Sequence, residues 1–233
     1  MKYFRFLVFL FFIQPVAAQT GSWNIINTKL DLNEKWNLFG ELQLRSLRFY
    51  DDFHYYEIKG GASFAISKAS TISAGFGIFD TYSPGGNFKS PMVNDEWRSW
   101  IQFNMTQYEK RLKLEHRYRA EQRWTSDGFR NRFRYRINSA LPLNNKKIEA
   151  GTYYLTASNE IFFTNRAPYF ERNRIFLGAG YEFSPFFTLQ AGYLHQFDYK
   201  ISDETGKNFL QLSFLFEMQW KKKTGEKVPG GMD

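Results

Sequence analysis

The chain has 233 residues, of which 43% are hydrophobic, 20% are aromatic and 23% are charged, with a formal net charge of +8. This aromatic content excludes a disordered chain, and no apolar run approaches the roughly 20 residues of a membrane-spanning helix. Because cysteine is absent, disulfides, thiolate metal sites and a cysteine nucleophile are excluded as well.

Residues 1–18 have the features of a secretory signal peptide. The segment has a basic start at Lys2 and Arg5, an apolar stretch over residues 6–13 and a small-residue end. A buried N-terminal helix is the alternative, but a proline interrupts the segment near its end. We therefore expect an exported protein whose mature chain begins near Gln19, without a lipid anchor because no cysteine follows the cleavage point.

Beyond the signal peptide, apolar and polar residues alternate with a period of two, which is typical of strands with one apolar face. The alternation is clearest over residues 36–45, 97–106 and 129–137, and it recurs over residues 210–218, where Phe209 and Leu215 blur it. Residues 110–124 contain good helix formers. On a helix, however, Leu112 and Leu114 would lie on different sides and no apolar stripe would remain, so a strand is favoured there too.

The pattern predicts an all-β fold, a transmembrane antiparallel β-barrel of ten to twelve strands. About eleven strands of roughly ten residues are visible, long enough to cross a bilayer when tilted, and twelve is favoured because bacterial single-chain barrels have an even number. Short connections, including one over residues 142–146, alternate with mostly longer ones, as at the two ends of an outer-membrane barrel. We expect the barrel over residues 19–220 and a polar C-terminal tail over residues 221–233.

A soluble lipocalin-like barrel or β-sandwich is the alternative, and it would bury its apolar face and expose its charges. So many large apolar side chains would overfill the lumen of such a barrel, whereas lipid accommodates them. We therefore expect the apolar face to point to lipid and the charged face to point into the lumen. Aromatic residues near strand ends fit interfacial girdles: Trp23, Trp36, Tyr50, Tyr82, Trp97, Tyr108, Trp124 and Trp220.

Several segments resemble a widespread Gram-negative outer-membrane barrel family that is catalogued as a domain of unknown function. They are GELQLRS (40–46), FYDDF (49–53), EHRYRAEQRW (115–124), RNRFRYR (130–136), APYFERNR (167–174) and HQFDYK (195–200). The resemblance covers nearly the whole mature chain and implies a barrel in the bacterial outer membrane, in contact with outer-membrane lipid and lipopolysaccharide. It implies no activity and no catalytic residues. The tail after Trp220 departs from the terminal aromatic residue with which such barrels end.

Two neighbouring strands carry most of the arginines. If Trp124 and Phe129 flank a tight turn as partners, the ladder places Arg117 opposite Arg136, Arg119 opposite Arg134, Arg123 opposite Arg130 and Glu121 opposite Arg132. Like charges directly opposite each other destabilise a sheet, so an anion must lie against them. We predict a lumen-lining, anion-binding set of seven arginines: Arg117, Arg119, Arg123, Arg130, Arg132, Arg134 and Arg136.

Two sources of the anion lead to two functions. Internal acids, namely Glu41, Glu57, Glu115, Glu160 and Glu171, would give a closed structural barrel with a lumen ion-pair network. External carboxylates or phosphates, bound by guanidinium groups, would give a narrow, porin-like, anion-preferring pore for small solutes. Nucleic acid is not an expected partner, because the aromatic residues would face lipid. The sequence does not name a solute or an oligomeric state.

An enzyme is the third alternative. An outer-membrane acyl hydrolase or lipid-modifying enzyme would need a lipid-facing His and Ser, and His116 and Ser139 share the outward parity without an orienting carboxylate nearby. No catalytic residue, cofactor or metal site is therefore predicted, since His54 and His195 also lack partners at metal-ligand spacing. Polar residues at loop ends are expected as solvated groups or as bridges from divalent cations to lipid phosphates: Asp51, Asp52, Asp80, Asn94, Asp95 and Glu96.

Overall fold

The computed structural model describes residues 20–199 and 205–220. The predicted signal peptide and polar tail lie outside the described residues. In the described part of the chain, no helix is long and apolar enough to span a bilayer.

Within these residues the chain forms twelve strands, and all of it is strand, turn or irregular structure. The predicted all-β fold is therefore confirmed. The strands are β1 (Thr20–Asp31), β2 (Trp36–Arg48), β3 (Asp51–Ala65), β4 (Ser70–Tyr82), β5 (Met92–Asn94), β6 (Trp97–Glu109), β7 (Leu112–Thr125), β8 (Gly128–Pro142), β9 (Thr152–Thr164), β10 (Phe170–Ser184), β11 (Phe187–Asp198) and β12 (Thr205–Gln219).

Eleven of the described strands close into a barrel. Each pairs antiparallel with the next barrel strand along the chain, and β1 closes the ring by pairing in parallel with β12. The short strand β5 pairs with the end of β4 and lies outside the ring. Eleven is within the predicted range of ten to twelve. The expected even number assumes an antiparallel closure, whereas the parallel β1–β12 pair permits an odd one.

The parallel closure places Thr20 and Gln219 at opposite ends of the barrel. We use "N-terminal end" for the end at which β1, β3, β6, β8, β10 and β12 begin, and "C-terminal end" for the other. The connection between β8 and β9 is at the C-terminal end and spans residues 143–151. This connection is longer than the short turn expected over residues 142–146. It is a folded loop held by buried Thr152, whose hydroxyl oxygen accepts hydrogen bonds from Asn145 Nδ2 and from the Glu149 backbone N–H.

The segment with good helix formers is strand β7, as the alternation predicted. Its even-numbered positions face outward, where Tyr118 and Trp124 are exposed, and its odd-numbered positions face the interior, where Glu121 and Arg123 are buried. Successive side chains of a strand point to opposite faces, so the strand separates the apolar residues from the charged ones. A helix would place both kinds of residue on the same face.

The interior contains both apolar clusters and charged side chains. Trp23, Ile25, Phe176, Leu194 and Phe209 form an apolar cluster where β1 and β10–β12 meet. Charged side chains lie beside this cluster and along β6–β10, and inward-facing glycines leave room for the aromatic rings among them. A Cβ atom at Gly75, for example, would lie 2.3 Å from the Trp100 ring.

Candidate functional site

The candidate site is the charged interior along β6–β10, and its geometry follows from the register of β7 and β8. The structure pairs Arg117 with Arg136, Arg119 with Arg134, Arg123 with Arg130 and Glu121 with Arg132, so the predicted register is confirmed. All eight side chains therefore lie on the inner face of the sheet. Such a cluster of like charges requires carboxylates close by.

Glu121 is the first of these carboxylates. It is 2% exposed and accepts hydrogen bonds from Arg132 at 2.8 Å and from Arg134 at 2.7 Å. Arg119 lies 3.6 Å away on the same strand and also donates to the Gln102 side chain at 2.7 Å. One buried carboxylate thus contacts three of the predicted arginines.

Glu160 on β9 is the second carboxylate, and it lies nearer the C-terminal end of the barrel than Glu121. Its carboxylate lies 2.5 Å from Arg117, 2.7 Å from Arg134 and 4.0 Å from Arg174. Because Arg134 contacts both Glu160 and Glu121, the two carboxylates and their arginines form one continuous network across the four strands β7–β10. We use "interior ion-pair network" for the ion pairs that arginines form with five interior carboxylates: Glu57, Glu96, Glu121, Glu160 and Glu171.

Glu96 was expected as a loop-end acid, and the structure places it in the interior instead. The short segment before β6 folds inward, so that Glu96 is 1% exposed and bonded to Arg98 at 2.6 Å and to Arg123. Burial alone raises the pKa of this carboxyl, but the hydrogen bonds from Arg123 and Arg98 outweigh burial and hold its pKa below the ordinary value. Glu96 is therefore a charged member of the network.

Two of the seven predicted arginines behave differently from the rest. Glu171 adds contacts to Arg123 at 3.3 Å and to Arg132 at 3.1 Å, which completes the ion pairs of five members of the set. Arg130 and Arg136, by contrast, form no ion pair with any residue in 20–199 or 205–220, and the Nε atom of each is buried without a hydrogen-bond partner there. The set is thus divided into paired and unpaired arginines.

The prediction also omitted interior cations on other strands. Arg45 on β2 lies between two aromatic rings, 3.4 Å from the centroid of Trp23 and 4.0 Å from that of Tyr55, and contacts Glu57 at 3.1 Å. Arg98, Arg172 and Arg174 likewise point inward. Arg98 and Arg174 each follow or precede an exposed apolar residue, Trp97 and Ile175, and this alternation is the signal by which those two arginines could have been found.

The acids predicted to neutralise the lumen are divided by the structure. Glu57, Glu160 and Glu171 contact arginines. Glu41 and Glu115, in contrast, contact Lys59 and Lys113. Two carboxylates outside that predicted list, Glu96 and Glu121, turn out to be central to the network.

Trp23 was predicted to lie in an outer girdle, and this prediction is wrong. Trp23 is buried in the interior, where its ring covers the Arg45 guanidinium and its Nε1 donates to Gln43 at 2.8 Å. Apolar residues occupy both faces of β1 at this point, so alternation did not indicate which face was inner. Most of the other predicted girdle residues, such as Trp36, Trp97 and Trp124, are exposed on the outer face or at its ends.

The outward His116 and Ser139 each have another partner. Nδ1 of His116 lies 2.9 Å from the Tyr135 hydroxyl, and the Ser139 hydroxyl donates to the Ala157 carbonyl oxygen at 3.1 Å. The structure therefore does not bring them together as a base and a nucleophile. Within the described residues, no group of three or more His, Asp or Glu side chains is placed to hold a metal ion.

Comparison with known proteins gives one match. The model of a family described as "Protein of unknown function (DUF2490)" matches residues 20–207, which span β1 to the start of β12. The chain belongs to this family. Neither the curated proteins nor the solved structures contain a match. The matched DUF2490 region contains every ion pair of the interior network, so the network lies within the family domain.

Replacing Glu121 tests how strongly the network holds the barrel together. Glu121→Gln removes a charge that three buried guanidinium groups share, and we expect the free energy of unfolding to fall by roughly 3–5 kcal/mol. The control is Glu217→Gln, whose exposed pair with Lys29 is expected to contribute no more than about 1 kcal/mol. Urea unfolding of the refolded barrel measures both values, and equal small losses would contradict a structural role for Glu121.

The lowered pKa of Glu96 predicts a dependence on pH. A carboxyl whose folded-state pKa lies below its unfolded value stabilises the fold above that unfolded value, about 4.3 for glutamate, and loses this contribution as pH falls toward the folded pKa. The difference in unfolding free energy between the parent and Glu96→Gln should therefore be constant above about pH 5 and shrink below about pH 4. The control is Glu34→Gln at an exposed position, which should change the free energy of unfolding little at any pH. A gap for Glu96→Gln that stays constant to pH 3 would contradict the prediction.

Proposed function

We propose that the protein is an integral β-barrel of the Gram-negative outer membrane whose lumen is closed by the interior ion-pair network. In this function the barrel is passive: it sits among outer-membrane lipid and lipopolysaccharide, conducts no solute and carries no enzymatic chemistry. The observation that supports it best is an inverted burial pattern, with charged side chains enclosed and large apolar side chains exposed. A soluble barrel has the opposite arrangement.

The outer surface supports placement in lipid. Exposed apolar side chains follow the outward positions of successive strands, and they include Leu177, which is 59% exposed at the midpoint of β10. Exposed aromatic residues lie toward both ends, with Trp36 and Tyr108 at the C-terminal end and Trp97 and Trp124 at the N-terminal end. An apolar band between aromatic girdles is the surface of an outer-membrane barrel.

The burial of the network supports a closed lumen. Arg132 is 2% exposed and Phe162 is 1% exposed, and Trp100 on β6 is also buried. A water-filled pore would leave the side chains of its wall accessible to water. This geometry favours the closed structural barrel over the anion-preferring pore, in which free guanidinium groups would have to line an aqueous path.

Conductance across a planar bilayer distinguishes these two functions. We expect the purified mature protein to insert without producing single-channel steps, because paired arginines and packed rings fill the lumen. Reproducible steps with a reversal potential that indicates anion preference would contradict the closed barrel and support the pore. Loss of those steps in Arg134→Gln would assign them to this lumen rather than to a contaminating porin.

Placement in lipid is tested by a charge on the apolar band. Leu177→Lys puts an ammonium group at mid-strand, and we expect it to lower the free energy of unfolding in lipid vesicles by roughly 2–4 kcal/mol. The matched control is Ile66→Lys, because Ile66 is 56% exposed but lies in the turn between β3 and β4. The control should change stability by no more than about 1 kcal/mol. Equal, small effects of the two substitutions would contradict the membrane placement.

A further inference from the structure

The network leaves space at the N-terminal end of the barrel. An inner cavity of about 220 Å³ lies among the charged side chains there. An outer cavity of about 490 Å³ adjoins it and shares Arg130, Glu171, Arg172, Asp198 and Lys207 with it. Of the shared residues, Arg172 and Asp198 are half-buried and Lys207 is exposed, so the inner cavity opens outward through the outer one on the side of Lys207.

The inner cavity has more positive than negative charge. Among the described residues, nine Arg and Lys side chains but only four carboxylates line it. Glu121 and Glu160 do not line the cavity, but they pair with Arg132 and Arg134, which do. The cations still outnumber the carboxylates when Glu121 and Glu160 are added to the four. Positive charges enclosed at such density are costly without an anion among them.

Polar atoms without partners face the same cavity. Arg45 and His54 are 7% and 9% exposed, and within residues 20–199 and 205–220 neither Nε of Arg45 nor Nδ1 of His54 has a hydrogen-bond partner. Arg130, which lines both cavities, has no ion pair in that part of the chain, and its Nε is also without a partner. Buried polar atoms are normally satisfied, so these atoms point to a ligand rich in acceptor oxygens.

The outer cavity is less polar. Ala167, Pro168, Phe170 and Tyr199 line it beside the shared charged residues, and the rings of Phe170 and Tyr199 lie 6.0 Å apart. Such a wall suits the carbon ring of a sugar. Together the two cavities fall in the range of small-molecule sites, roughly 300–1,000 Å³.

We propose that the N-terminal end of the barrel binds a phosphorylated sugar, with the phosphate among Arg45, Arg130 and Arg172 and the sugar ring against Phe170. A phosphomonoester carries the charge and the acceptor oxygens that the inner cavity lacks, and arginine binds it through paired N–H groups. A free sugar phosphate and the phosphorylated sugar of a lipid headgroup share this chemistry. The proposal goes beyond a closed barrel and does not depend on it, because binding can be measured in detergent whether or not the lumen conducts.

Calorimetric titration of the full mature protein in detergent micelles tests the proposal. One arm uses glucose 6-phosphate with glucose as the neutral probe, and the other uses lipid A with and without its phosphate groups. We expect saturable, phosphate-dependent binding in at least one arm, and the arm in which it occurs identifies the source. Arg130→Gln should weaken that binding about tenfold or more, since it removes a charge-assisted contact.

Control variants test whether binding depends on the cavity residues rather than on the positive charge of the protein as a whole. Arg48→Gln removes the same charge from an exposed position at the same end that lines neither cavity, and it should leave binding unchanged. Lys207→Gln, at the exposed mouth, should also weaken binding and serves as the second variant if Arg130→Gln does not fold. Absence of saturable binding in both arms would overturn the proposal, as would equal binding of glucose and glucose 6-phosphate. Undiminished binding by folded Arg130→Gln and Lys207→Gln would overturn it as well.

Discussion

A guanidinium group that is removed from water has to meet a carboxylate, and this requirement organises the interior of the barrel. Glu121 and Glu160 each contact arginines from neighbouring strands at 2.5–2.7 Å. Arg134 contacts both carboxylates, and Arg119, which faces it across β7 and β8, also lies beside Glu121, so this facing pair shares an anion that offsets its repulsion. Removing one carboxylate would therefore take a counter-charge from several arginines at once.

Aromatic rings support the same arginines from the side. Phe162 has Arg134 and Arg174 at 4.6 Å and 4.8 Å from its ring centroid, and Trp23 has Arg45 at 3.4 Å. A ring face attracts a cation that has lost its water. The rings therefore fill volume and stabilise charge together, which explains why some aromatic residues point inward in a barrel whose outer surface is apolar.

Much of the fold is readable from the sequence because a strand has a period of two. Alternation identified β7 in a segment of helix formers, and the short turn before β8 set the register of the arginine pairs. Alternation predicts side-chain direction only within strands. Glu96 precedes β6, so its inward orientation could not be predicted in this way. It also does not indicate how the first and last strands meet, and the parallel β1–β12 pair with its odd strand number depends on contacts between distant parts of the chain.

The most direct test of the orientation on which this structure depends is fluorescence quenching in lipid vesicles. Variants that keep one tryptophan each would report from Trp124 on the outer face and from Trp100 in the interior. We expect lipids brominated near their headgroups to quench Trp124, and neither brominated lipid nor aqueous iodide to quench Trp100. Quenching of Trp100 by lipid, or an enclosed Trp124 that neither agent quenches, would contradict a barrel with its rings outward and its guanidinium groups inward.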